Sequence, residues 1–122
     1  MNVALIGYGR WGKIYEKTLN RLGEYNLSAI VSRRPDYWTA KKPGVHFLSS
    51  VEELLSLDVD AIIIATPPHT HGDYIRWAIR MKKACLVEKP VCLSSRECLS
   101  LHEETQQARI PLLVGYLQLF NP

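Results

Sequence analysis

The 122-residue chain has no apolar run longer than five residues, the stretch Ala61-Ile62-Ile63-Ile64-Ala65. A helix crossing a bilayer needs about twenty, so no membrane partner is expected. Asn2 leads straight into an apolar segment, with no basic n-region, long h-region or cleavage site before it. The cytoplasm is therefore the expected compartment. Cysteine is scarce: Cys85, Cys92 and Cys98 are odd in number and form no C-x-x-C pair. That argues against a disulfide framework or a zinc site and for buried or incidental thiols. Positive charge is also thin. Fifteen Lys and Arg against twelve Asp and Glu leave a net +3, dispersed in small groups at Arg33-Arg34, Lys41-Lys42 and Arg80 to Lys83. Such pairs read as solvated surface and lack the density of a nucleic-acid footprint. What remains is an ordinary globular composition, 47% apolar and 22% charged, over a length that suits one domain, residues 1–122.

Glycine is concentrated where it matters. Val3 to Ile6 reads as a buried strand and leads into Gly7-Tyr8-Gly9-Arg10-Trp11-Gly12, a G-x-G-x-x-G followed by helical spacing. In such a turn the first glycine permits the tight bend. The second lets phosphates approach the backbone, and the third lets helix and strand pack closely. Amides at the new helix's start then face an anion.

Periodicity gives a regular alternation. Strands are predicted at 2–6, 27–31, 45–48, 60–65, 84–87 and 111–115, with helices over 11–24, 70–81 and 95–108. Ile14, Leu19 and Leu22 mark the apolar side of the first helix. Ser50-Val51-Glu52-Glu53 and Ser94-Ser95-Arg96-Glu97 read as capping boxes, the first opening a helix to about Leu57. The segment 34–44, with Pro35, Pro43 and Gly44, leaves room for only a short helix or a loop. Six strands separated mostly by helices predict a doubly wound parallel α/β sheet in the order 3-2-1-4-5-6. Within that strand–helix–strand context the glycine turn predicts a dinucleotide, the alternatives being another nucleotide-type ligand or a purely structural turn.

The strand-two end selects between dinucleotides. An NAD-selective site usually has a carboxylate there for the ribose 2′-hydroxyl. Here the sequence is Ile30-Val31-Ser32-Arg33-Arg34, and the nearest acid, Asp36, lies beyond Pro35. Ser32 and Arg33 suit a 2′-phosphate, so NADP(H) is favoured, with NAD(H) as the alternative. After strand four comes Thr66-Pro67-Pro68-His69-Thr70-His71, where the two histidines lack a third metal ligand. Strand five ends in Glu88-Lys89-Pro90. An ammonium there either meets a substrate oxygen beside the nicotinamide or belongs to an ion pair anchoring the turn.

Together GYGRWG, TPPHTH, VEKP and VGYLQLFNP resemble, in order and over essentially the whole chain, the glucose–fructose oxidoreductase, inositol dehydrogenase and MocA family. The resemblance implies a Rossmann domain in an NAD(P)-dependent oxidoreductase acting on a sugar-like or polyol alcohol. It gives Lys89 the catalytic role of positioning substrate and joining a proton relay. It places the segment Gly7 to Gly12 (Tyr8, Gly9, Arg10 and Trp11 included) on the pyrophosphate, and Thr66, Pro67, Pro68, His71 and Glu88 beside the cofactor. Arg34 joins Ser32 and Arg33 at the ribose. The Lys89–Pro90 peptide is implied to be cis. Family members continue into a second α/β domain holding the substrate pocket, a catalytic histidine and much of the oligomer interface. That domain is absent here, so this chain alone is expected to be inactive, and a homo-oligomer is a further expected partner. Pro68 stands where many members have asparagine, and Leu117-Gln118-Leu119 where many have arginine. The competing reading is a stand-alone, non-catalytic nucleotide sensor or partner-binding module.

Overall fold

A computed structural model of the chain describes residues 1–34, 42–116 and 119. Its strands are β1 (Asn2–Ile6), β2 (Asn26–Val31), β3 (His46–Leu48), β4 (Ala61–Ile64), β5 (Ala84–Val87) and β6 (Leu112–Val114). Its α-helices are α1 (Arg10–Leu22), α2 (His71–Arg80) and α3 (Ser95–Ala108). The strands form one sheet in the order β3-β2-β1-β4-β5-β6, every pair parallel. The topology is the one predicted.

Side-chain alternation explains why the strands read as unbroken apolar runs. Ala4, Ile6, Val31, Ile62, Ile64 and Val87 pack with Ile75 and Ala78 of α2 and Leu101 of α3 on one face. Val3, Leu5, Leu27, Ile30 and Ile63 pack with Leu19 of α1 on the other. Burying each large aliphatic side chain stabilises the fold by about 1.5–3 kcal/mol.

Helix α1 stops at Leu22 because Gly23 takes a left-handed conformation, φ +66°, which glycine adopts without a Cβ clash. Its inner side differs from the prediction. Leu19 is buried, but Ile14 and Leu22 are 41% and 54% exposed. The remaining buried positions are Gly12 and Glu16. A glycine lets the helix lie close to the sheet, and Glu16 is tolerated because it has partners: Tyr8 Oη donates to it at 2.6 Å and Lys42 pairs with it.

The helix predicted after Ser50 is a 3₁₀ helix, Val51–Ser56. Glu53 Oε1 accepts the amides of Ser49 and Ser50, each at 2.9 Å, so the cap forms as read. The segment is simply short, and tighter i→i+3 bonding suits short pieces. A 3₁₀ turn, Pro68–Thr70, likewise precedes α2, which begins only at His71. At α3, Ser94 Oγ accepts the Glu97 amide at 3.2 Å. Most of the 34–44 connection, at 35–41, lies outside the described residues.

The cysteine reading needs correction. Cys92 and Cys98 pair as a disulfide with Cα atoms 5.8 Å apart, and Cys85 alone is a free buried thiol. Odd number and absent C-x-x-C spacing could not reveal this pair, because the turn before α3 brings the two together. Among the described residues no helix is long and apolar enough to cross a membrane.

Candidate dinucleotide site

The parallel register lines up the carboxyl ends of the strands. Ile6 is level with Val31 and Ile64, Ile64 with Val87, and Val87 with Val114. After every strand except β3, the next residue donates its amide to a neighbouring strand's last carbonyl. Gly7 bonds Val31, Ser32 bonds Leu48, Ala65 bonds Ile6, Glu88 bonds Ile64 and Gly115 bonds Val87, all at 2.8–3.0 Å. Every loop singled out in the sequence therefore leaves the sheet along one edge. The strand order reverses direction between β1 and β4, the position where ligands bind in such sheets.

A cleft of about 820 Å³ opens there. Gly7, Tyr8, Gly9, Arg10 and Trp11 line it from the β1–α1 turn, Ser32, Arg33 and Arg34 from the end of β2, and Thr66 and Pro67 from the loop after β4. Ser49 to Glu52 and Tyr74 also line it, and the sequence reading missed them. The predicted strand order puts the end of β3 beside β2, which was the available signal for the first group. Tyr74 follows one turn after Thr70 on α2.

The three glycines separate by what a Cβ would meet. On Gly7, which has φ +95°, it would sit 2.5 Å from the Ala65 carbonyl oxygen. On Gly12 it would collide with the Gly7 carbonyl oxygen. On Gly9 it would meet nothing within 4 Å. Gly7 and Gly12 are thus glycine because the protein is in the way. Gly9 has no such protein-internal reason, and its turn is part of the cleft wall. Gly9 also caps α1 without a side-chain hydrogen bond, and no acid occupies the first turn. The first amides of a helix lack intrahelical partners and sit at its positive end. The residues present therefore fit a diphosphate.

At the ribose end, Ser32 is buried and its Oγ accepts the Arg34 amide at 3.3 Å, while Arg33 and Arg34 are exposed. Tyr8 turns its hydroxyl to Glu16 and its ring edge-on to Phe47, 6.4 Å between centroids. Burial first, then the hydrogen bond and charge of Glu16, push the Tyr8 hydroxyl up to about 12.

The remaining predicted residues lie outside the cleft lining. Gly12 is buried beneath the turn. His71 is fully buried, with Nε2 2.8 Å from the Thr66 carbonyl oxygen and Nδ1 2.9 Å from that of Pro90. It bridges the loops after β4 and β5 instead of facing the cleft. Pro68 starts the 3₁₀ turn. The Glu88 side chain is also placed differently from the expectation: it is buried, and its Oε1 accepts the Tyr15 hydroxyl at 2.5 Å. Lys89 is exposed, and its peptide to Pro90 is cis.

Sheet order, glycine turn and cleft define a Rossmann-type dinucleotide-binding domain. Residues 1–116 match the GFO_IDH_MocA model, described as an oxidoreductase family with an NAD-binding Rossmann fold, and the chain belongs to that family. It is 31% identical to the inositol 2-dehydrogenase of Rhizobium meliloti across 97% of this chain and 36% of that protein. It is 39% identical to the scyllo-inositol 2-dehydrogenase (NAD(+)) of Bacillus subtilis across 85% of this chain and 35% of that protein. A solved protein from Magnetospirillum magnetotacticum superposes with a TM-score of 0.90 at 37% identity, across 100% of this chain and 40% of that one. The chain thus spans little more than a third of the relatives' length.

Proposed function

We propose that this domain holds the cofactor for an oxidoreductase that moves a hydride between a dinucleotide and a CH–OH carbon of a sugar-like or polyol substrate. The observation that carries the reading is Gly9, whose open side has no neighbour within 4 Å among the described residues and lies at the switch point of the sheet. The inositol dehydrogenases among the relatives support a polyol substrate class. Bound at the cleft, the dinucleotide would supply the hydride acceptor or donor.

The chain's own residues divide the remaining work. The α1 amides and the turn from Gly7 to Gly12 hold the diphosphate, and Thr66 and Pro67 wall the cleft beyond it. Lys89, exposed at the carboxyl end of β5, orients the substrate oxygen and shares its proton. A second domain completes the substrate pocket. No specific observation favours the non-catalytic sensor.

Within this reading NADP(H) is the favoured cofactor. Arg33 and Arg34 stand exposed at the end of β2 and line the cleft with Ser32, and residues 32–34 include no carboxylate. Fluorescence titration with NADPH and NADH tests both levels. Arg33→Ala should weaken NADPH about tenfold, corresponding to one charge-assisted hydrogen bond, and leave NADH unchanged. Equal affinities that ignore the substitution would remove the NADP preference. Absence of binding by either cofactor would remove the whole proposal.

A further inference from the structure

Glu88 has a surrounding that the cofactor site does not explain. The residue is 5% exposed, at the carboxyl end of β5, a strand paired on both sides. Buried carboxylates require partners. Oε1 accepts the hydroxyl of Tyr15, from α1, at 2.5 Å, a length suited to a charge-assisted O–H···O⁻ bond. Oε2 accepts the backbone amide of Lys89 at 3.3 Å. The third side is closed by Gly115, just after β6, where a Cβ would sit 3.0 Å from Glu88 Oε1 and 3.1 Å from Tyr15 Oη. Only a residue without a side chain leaves the pair undisturbed. Burial, then the hydrogen bond and charge of Glu88, raise the Tyr15 hydroxyl above its ordinary value, so it remains the donor.

Helix α1 carries both Tyr15 and, at its first turn, the amides that face the cleft. The same rigid element is therefore tied to both ends of the site. We infer that Tyr15 is a positioning residue: by locking the Glu88 carboxylate, it fixes the main chain of Lys89 relative to the helix that holds the diphosphate. This rests on the proposed role of Lys89. Tyr15 need not touch substrate or cofactor for this, and it is absent from the cleft lining.

The test uses the full-length protein and two variants. Tyr15→Phe removes only the hydroxyl, and Gly115→Ala inserts a methyl between groups that keep their hydrogen-bonding atoms. Single-amide hydrogen exchange should quicken at Lys89 in both, with Val87 and Glu88, held in the sheet, unchanged. Turnover of myo-inositol should fall by about tenfold to a hundredfold in kcat, the scale of a misplaced catalytic group, with dinucleotide Kd unmoved. Unaltered exchange at Lys89, or faster exchange along all of β5, overturns the lock. Faster exchange at Lys89 with unaltered kcat overturns the positioning role. Lys89→Ala separates the parent reading. If it leaves turnover intact, or the wild type turns over no inositol, the catalytic role of Lys89 falls and the lock is judged on exchange alone.

Discussion

The buried imidazole of His71 reaches the carbonyl oxygen of Pro90 at 2.9 Å, across the gap between α2 and the loop after β5. Its other nitrogen lies 2.8 Å from the Thr66 carbonyl oxygen, so one side chain braces two loops at the ligand edge. His71→Ala leaves two carbonyls without this partner and opens a cavity. The lost buried N–H···O bond costs about 1–3 kcal/mol and the cavity adds to it, so unfolding in urea should show a loss of about 3 kcal/mol. A loss below about 0.5 kcal/mol, the range of ordinary surface changes, would show that the brace does not matter.

The glycine turn allows folding and binding to be separated. Gly9→Ala adds a methyl that meets no atom of the described residues within 4 Å, and Gly9 already has a negative φ of −82°. Its stability should stay within about 0.5 kcal/mol of the wild type, while calorimetry shows dinucleotide affinity reduced by about tenfold or more. Gly7→Ala should behave oppositely and destabilise the fold, since its φ is +95° and its Cβ would sit 2.5 Å from the Ala65 carbonyl oxygen. Normal affinity in Gly9→Ala would mean that the diphosphate lies elsewhere.

Legibility in the sequence followed the range of the interactions. Strands β1 to β6 were readable because a sheet covered on both faces forces unbroken apolar runs, and their alternation with helices fixed the order. The glycines were readable because their G-x-G-x-x-G spacing, directly after an apolar strand, marks a tight turn opening a helix. What could not be read was long-range: Tyr15 meets Glu88 across 73 positions, and no periodicity encodes that pairing. Glu16 is similar. On a helical wheel it is a polar residue on α1, and only the fold supplies Tyr8 and Lys42 as its partners. Ile14 and Leu22 were misplaced for the converse reason. The helix leans on Gly12 and Leu19, so apolarity alone overstated its buried width.

Charge at the end of β2 offers a selectivity switch. Ser32 lines the cleft and is level with the neighbouring strand ends. Ser32→Asp would place a carboxylate where a 2′-phosphate would be repelled and a free 2′-hydroxyl could donate. The ratio of NADPH to NADH affinity should fall by about tenfold or more, one charge-assisted contact being equivalent to about 1.5–3 kcal/mol. An unchanged ratio would place the ribose away from this strand.

The last prediction concerns the join between α2 and α3. Arg76 Nη2 lies 3.0 Å from Glu104 Oε1, its Nε lies 3.1 Å from Oε2, and Ser100 Oγ donates to Oε1 at 2.8 Å. These bonds, Arg76 first and Ser100 second, hold the Glu104 carboxyl below its ordinary value of 4.5. A depressed folded-state value means stability that is present above the unfolded value and lost as pH falls through the folded one. Both side chains are about a third exposed, at 34% and 33%, so water and salt screen the pair and its contribution should not exceed about 1 kcal/mol. Glu104→Gln resembles the protonated acid. Urea unfolding should therefore find the wild type more stable by about that amount at pH 7. The gap should close once the pH drops below 4.5 and the wild-type carboxyl takes up its proton in the folded state. A gap that stays constant down to strongly acid pH would mean that the substitution acts through packing and not through charge.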